Sequence, residues 1–267
     1  MNYRQPFQRI LSGVVLLSSC LLLVGADAER PPNIVFILAD DMSFDSVSAN
    51  NEKMGPLKTP HIDRLISQGM NFTDAHSASA VCTPTRYGLL TGRYCWRTKL
   101  KSGVLWDWAA PLIQPERLTV AELLRQQGYA TGMIGKWHLG MTWFDKEGNP
   151  ANAHLGLGDS WFWKKTAERV AAVGRSIDFT RAIRGGPVDQ GFDYYFGVDL
   201  PNFAPYVWIE NDKTLGIPSV PKPDGMYGGP GPMLPGWKLE DILVGLGEKA
   251  VWWIAEQGRG EKPFFLY

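Results

Sequence analysis

Hydrophobic positions along the chain fall into a few telling runs. Ile34-Val35-Phe36-Ile37-Leu38-Ala39 is unbroken, which predicts a strand buried on both faces, as in a parallel sheet. Between Thr59 and Gly69 the apolar positions switch to helical spacing. There Ile62, Leu65 and Ile66 form a buried stripe, Thr59 caps, Pro60 opens the helix and Gly69 closes it. Phe72 to Ala75 reads as the next strand. Thr119 and Glu122 make a capping box before Val120, Leu123 and Leu124, and Gly128 is the C-cap. A strand then runs from Tyr129 to Ile134. Trp237 to Gln257 contains a helix with Ile242, Leu243, Leu246, Ala250, Trp253 and Ile254 as its buried side, and Lys262 to Tyr267 begins another buried strand. The alternation predicts an α/β fold with a largely parallel central sheet and helices on both faces.

The first 28 residues follow a different pattern. Arg4 and Arg9 precede an apolar run from Ile10 to Val24, too short for a comfortable membrane span, and Ala26-Asp27-Ala28 offers a small-x-small cleavage site. This predicts a secretory signal at 1–28, cleavage after Ala28, and export to the periplasm, the extracellular space or an equivalent secretory compartment. Leu17-Ser18-Ser19-Cys20 also resembles a lipobox, with Cys20 lipidated, but the apolar run continues past Cys20. Residues 29–267 remain as one region.

Removing the signal leaves two cysteines, Cys82 and Cys95, too few for a disulfide framework. The formal net charge is zero, which argues against nucleic acid as a partner. Composition is otherwise ordinary except for 11 tryptophans.

Three short motifs carry chemistry. Cys82-Thr83-Pro84-Thr85-Arg86 precedes Leu89-Leu90-Thr91-Gly92. Thr83 suits an N-cap, Pro84 a first helical residue and Gly92 a helix end. Cys82 is thereby placed where free N–H groups favour negative charge. A buried thiol or a disulfide to Cys95 is the plain alternative. Lys136-Trp137-His138 closes the strand begun at Tyr129. Two residues apart in extended chain, the cation and the imidazole point the same way and suit an anionic substrate. Asp40-Asp41 ends the first apolar run, where α/β sheets build their sites. His61 reads as a helix-surface residue and His76 as structural, and His154 has no evident partner.

Taken together, Cys82-x-Pro84-x-Arg86 with its flanks, Gly128 to His138, and Asn33 to Asp41 resemble the type I sulfatases of the alkaline-phosphatase-like superfamily. The resemblance covers residues 33–267, roughly the first half of the family's fold. It implies that Cys82 is oxidised to formylglycine by a formylglycine-generating enzyme. The formylglycine hydrate is then the nucleophile toward a sulfate ester such as a sulfated carbohydrate. Asp40 and Asp41, with the modified Cys82, would hold Ca²⁺ or Mg²⁺. Arg86 would support the formylglycine and its charge, Lys136 would contact the sulfate, and His138 would hydrogen-bond the hydrate's second hydroxyl. Ser43 departs from the family's frequent Gly.

The family's further active-site His, its Asp-Asn metal pair and its second Lys do not occur before Tyr267. The sequence therefore reads as a truncated frame with little activity of its own. Residues 142–186 look like an insertion, helical near Lys164 to Val173, with Trp143, Trp161 and Trp163. The Pro- and Gly-rich stretch 216–236 is expected to border the substrate cleft, and Trp106 and Trp108 are candidates to stack on sugar rings. A phosphate or phosphonate ester hydrolase of the same superfamily, or a non-catalytic fragment, are the rival readings.

Overall fold

The computed structural model describes residues 30–267 apart from Glu52, Met54 and Leu57. The expected signal, its cleavage site and Cys20 lie outside the described residues. Asn33–Tyr267 form a single unit.

Its centre is a six-stranded sheet ordered β1-β8-β2-β3-β4-β5. The strands are β1 (Ile34–Val35), β2 (Ala130–Lys136), β3 (Tyr194–Val198), β4 (Ile209–Glu210), β5 (Lys213–Thr214) and β8 (Phe264–Leu266). β1, β8, β2 and β3 run parallel, while β4 and β5 are added antiparallel. The fold class is thus the expected one. A small second sheet pairs β6 (Val220–Pro221) with β7 (Pro232–Met233).

Helices cover both faces. On one side α2 (Cys82–Thr91) and α3 (Val120–Gln126) bring Tyr87, Leu90 and Ala121 into the main core with Met133, Tyr195 and Phe265. On the other, α5 (Asp241–Gly258) lays Trp253 against Phe264 and Leu266. Gly132 makes that contact close, since a Cβ there would meet the Trp253 ring at 2.6 Å. The Thr119 half of the capping box is present, with Thr119 Oγ1 accepting from the Glu122 N–H, while the Glu122 carboxylate accepts from Arg125 and Gln126. Gly92 ends α2 in the left-handed region.

Several expectations fail in instructive ways. The first apolar run is not a doubly buried strand. β1 is a two-residue edge strand, with Val35 47% and Ile37 80% exposed. An apolar run specifies burial only where an element covers it, and among the described residues none covers the outer side of β1. α1 (Pro60–Gln68) forms, but its stripe is not buried. The Thr59 hydroxyl donates to Asp63 and accepts from the Ser48 N–H, capping no N–H of the helix. Phe72 to Ala75 turns at Thr73-Asp74 and is no strand. In α5, Ile242 and Trp253 are buried, but Leu243 is 80% exposed.

In the insertion, α4 spans Ala167–Ser176, starting three residues later than Lys164. Trp108 and Trp143 pack edge to face in the core with ring centres 5.6 Å apart, so Trp108 is no sugar platform. The 216–236 stretch lines a cavity of about 680 Å³ against α4, together with Trp108 and Trp161. That cavity is separate from the cleft at Cys82.

Candidate active site

β1 and β2 end at the same edge of the sheet, and α2 begins beside them. Cys82 is the first residue of α2, and the preceding Val81 carbonyl accepts from the Thr85 N–H at 3.2 Å. The thiol is half-buried and free, as is buried Cys95. No disulfide joins them. Thr83 does not cap the helix as its position suggested. It is fully buried, its Oγ1 donating to the His138 carbonyl and accepting from the Leu105 N–H, each at 3.1 Å.

Asp40, Asp41, Cys82 and Arg86 line one cleft of about 490 Å³, joined by Ser43, Ser77, Ser79 and Thr85. Arg86 comes from the second turn of α2 and is buried. One guanidinium nitrogen donates to the Lys136 carbonyl at 2.6 Å and the other to Asp40 at 3.3 Å. Lys136 Nζ donates to the same Asp40 oxygen at 2.7 Å. Burial pushes the Asp40 carboxyl up. The Lys136 hydrogen bond and charge, followed by Arg86, outweigh this and leave its pKa below the ordinary value. Asp41 follows in the left-handed region with φ 58°, which turns the chain sharply between the two acids.

His138 reaches the site differently from the sequence expectation. β2 ends at Lys136, and His138 has φ 54°. Strand alternation therefore does not carry the two side chains in one direction. The imidazole is buried with Nε2 2.9 Å from the Leu105 carbonyl. Since a carbonyl only accepts, Nε2 carries the proton. Nδ1 is then a bare acceptor, buried without a partner among the described residues. Burial first, then the Lys136 charge, lowers the His138 pKa to about 3, so the ring is neutral near pH 7. Its backbone N–H is held by the Asp199 carboxylate at 3.1 Å. Burial raises Asp199 to about 6, opposed by that N–H and by Lys136.

The structure brings Asp40, Asp41, Cys82 and Arg86 into one cleft, with Lys136 joining through Asp40, while His138 is buried against Leu105 and Asp199 and does not line it. It adds Leu105 and Asp199, which position His138. Asp199 directly follows an apolar strand, the signal that singled out Asp40. Leu105 acts through backbone atoms and left no mark in its side chain. His61 and His76 are exposed, the latter 2.8 Å from Asp74, and His154 is exposed as well.

The donors at Asp40 and Asp41 are hard oxygens, which fit Ca²⁺ or Mg²⁺ in kind. No cluster of three or more metal-ligating side chains occurs among the described residues. The pair therefore supplies part of a six- to eight-oxygen calcium shell.

The sulfatase family model matches residues 32–210. The chain belongs to the sulfatase family. It is 33% identical to an N-acetylgalactosamine-6-O-sulfatase of Bacteroides thetaiotaomicron, over 97% of this chain and 52% of that protein. It is 30% identical to mouse arylsulfatase G, over 91% of this chain and 41% of the relative. Among solved structures, a Bacteroides thetaiotaomicron sulfatase described in connection with metabolism of multiple glycosaminoglycans superposes with a TM-score of 0.66 at 29% identity. That match covers 89% of this chain and 50% of the other. The chain spans about half the length of the curated relatives it matches.

Proposed function

We propose that the Cys82 cleft hydrolyses sulfate monoesters, with residue 82 acting after oxidation to formylglycine. The observation that carries this reading is the convergence of Arg86 and Lys136 on Asp40, in the cleft where Cys82 opens α2. Two cations and a helix N-terminus gathered at one cysteine suit a dianionic transition state better than they suit a structural thiol. The family membership points to sulfur over phosphorus, and the relative active on N-acetylgalactosamine 6-sulfate supports a sulfated carbohydrate as substrate.

Each residue then has a definite task. The oxidised residue 82 supplies an aldehyde whose hydrate offers one oxygen for attack and a second hydroxyl for release of sulfate. Asp40 and Asp41 would hold the divalent cation, which adds electrophilic charge beside that oxygen. Arg86, fixed by the Lys136 carbonyl, keeps positive charge under the site. Lys136 Nζ is positioned to exchange its Asp40 contact for a sulfate oxygen. His138 Nδ1, neutral and lacking a protein partner, would accept a hydrogen bond from the second hydroxyl. Export through a signal ending at Ala28 belongs to the same reading.

The test is coexpression with a formylglycine-generating enzyme. The residue-82 peptide should become about 18 Da lighter, as exchange of CH₂SH for CHO requires. Any turnover should favour 4-nitrophenyl sulfate over 4-nitrophenyl phosphate and vanish in Cys82→Ala. A retained thiol under these conditions, or faster phosphate ester cleavage, would overturn the reading.

A further inference from the structure

Trp106 stands between the candidate catalytic residues and an exposed aromatic patch. Its neighbour Leu105 accepts from His138 Nε2 at 2.9 Å and donates its N–H to Thr83 at 3.1 Å. Thr83 directly follows Cys82. With consecutive Cα atoms 3.8 Å apart, these bonds keep the Cα atoms of Cys82 and Trp106 within roughly 15 Å. The Trp106 ring meets Phe162 and Trp163, each at 6.4 Å, and Phe203 at 5.9 Å. Phe203 lies on the loop that begins with Asp199, the residue holding the His138 N–H. Both supports of the patch therefore hang from His138.

The outer part of the patch is open. Phe162 is 61% and Trp163 52% exposed, with ring centres 6.1 Å apart. Lys164 and Lys165 follow, both exposed and without an ion-pair partner among the described residues. Buried Asp107, next to Trp106, fastens the segment by accepting from Ser160 Oγ at 2.8 Å and the Trp161 N–H at 3.3 Å. Adjacent exposed aromatics on a fastened turn mark a contact surface. The chain's net charge is zero, so the two lysines act as a local cationic site and not as part of a general field. A pyranose ring offers an apolar C–H face to an aromatic ring and polar groups at its rim. Sulfate or carboxylate substituents at that rim match the lysines.

We propose that Trp106, Phe162, Trp163 and Phe203, with Lys164 and Lys165, form a subsite for the neighbouring sugar rings of an anionic oligosaccharide whose sulfated ring enters the Cys82 cleft. The inference rests on the sulfate-ester reading and adds that the substrate is an oligosaccharide bearing further charge. The occupant is a carbohydrate because exposed aromatic faces at Phe162 and Trp163 are followed directly by two exposed lysines on a segment tied through Trp106 and Leu105 to His138.

Calorimetry of the whole chain with a chondroitin sulfate hexasaccharide tests it, alongside the desulfated hexasaccharide and inorganic sulfate. Combined Phe162→Ala and Trp163→Ala should weaken hexasaccharide binding at least about tenfold and leave inorganic sulfate binding unchanged. Lys164→Gln with Lys165→Gln should flatten the salt dependence of binding, and the desulfated sugar should bind more weakly than the sulfated one. Equal hexasaccharide affinity in the wild type and the aromatic variant would overturn the proposal. So would inorganic sulfate binding without hexasaccharide binding. Self-association relieved by the aromatic variant, without sugar binding, would identify a protein-docking patch and also overturn it. The measurement uses unmodified Cys82, so a failure of formylglycine formation is seen separately by mass spectrometry.

Discussion

Thr83 Oγ1 donates to the carbonyl of His138, 55 residues away in sequence, at 3.1 Å, and accepts from the Leu105 N–H at the same distance. A fully buried hydroxyl thus ties the cysteine motif to the lysine–histidine motif and to the loop carrying Trp106. Thr83→Val keeps the shape and removes both bonds, leaving a buried N–H and carbonyl unpaired. The expected cost is about 2 kcal/mol, read as a lowered denaturation midpoint with unchanged m-value. Thr83→Ser should recover most of it. A neutral Thr83→Val would show that the link contributes nothing.

Arg86 bridges the Lys136 carbonyl and Asp40 from a buried position. A lysine has the charge but not the fork. Arg86→Lys should therefore retain folding, lose one of the two contacts and lower turnover of any active form by about 10²-fold. Steady-state rates on 4-nitrophenyl sulfate, with melting curves as a control, check this. Rates within twofold of wild type would exclude Arg86 from the charge arrangement.

Asp107 gives a pH prediction. Burial raises its pKa to about 6 from an ordinary 3.8. The folded state therefore prefers the protonated acid, and its stability falls as pH rises from about 4 through 6. Asp107→Asn stays neutral and can still accept from Ser160 and the Trp161 N–H. The variant should overtake wild type in stability as pH rises, by up to about 3 kcal/mol near pH 7 for a shift of this size. Paired melts from pH 4 to 8 decide it. A wild type that gains on the variant with rising pH would reverse the sign and refute the argument.

What was legible in the sequence was local. Cys82 opens a helix with Arg86 one turn in, Lys136 closes a strand and Asp40-Asp41 follow an apolar run, so chain direction alone brings them toward one edge of a parallel sheet. The N-cap at Thr119 and the αL end at Gly92 are likewise encoded within a few residues. The failures share a different cause. The burial of Ile37, Leu65 and Leu243 depends on what packs over them, and an apolar pattern does not name its cover. Thr83 was assigned to the nearest helix because local capping is its commonest use, whereas the fold directs its hydroxyl to a strand end far away in sequence. The positive φ of His138 broke an alternation rule that holds only while the chain stays extended.

Lys136 leads to the least intuitive expectation. Its ammonium lies 2.7 Å from Asp40, on one of the two carboxylates that would hold the cation. Ca²⁺ must share or displace that contact, and it approaches a site already carrying the charges of Lys136 and Arg86. Two carboxylates and this competition place the affinity of the chain in the weak range, about 10⁻⁴–10⁻³ M. Lys136→Met removes the competing charge while retaining an unbranched apolar stem. Ca²⁺ binding should then tighten, by about tenfold when the part-exposed position of Asp40 is allowed for, while inorganic sulfate binding weakens. Asp40→Asn should abolish calcium binding in either background. Calorimetric titrations of the four proteins at fixed ionic strength check these opposite movements. If Lys136→Met weakened both ligands together, the lysine would be acting through folding, and the electrostatic account of the site would fail.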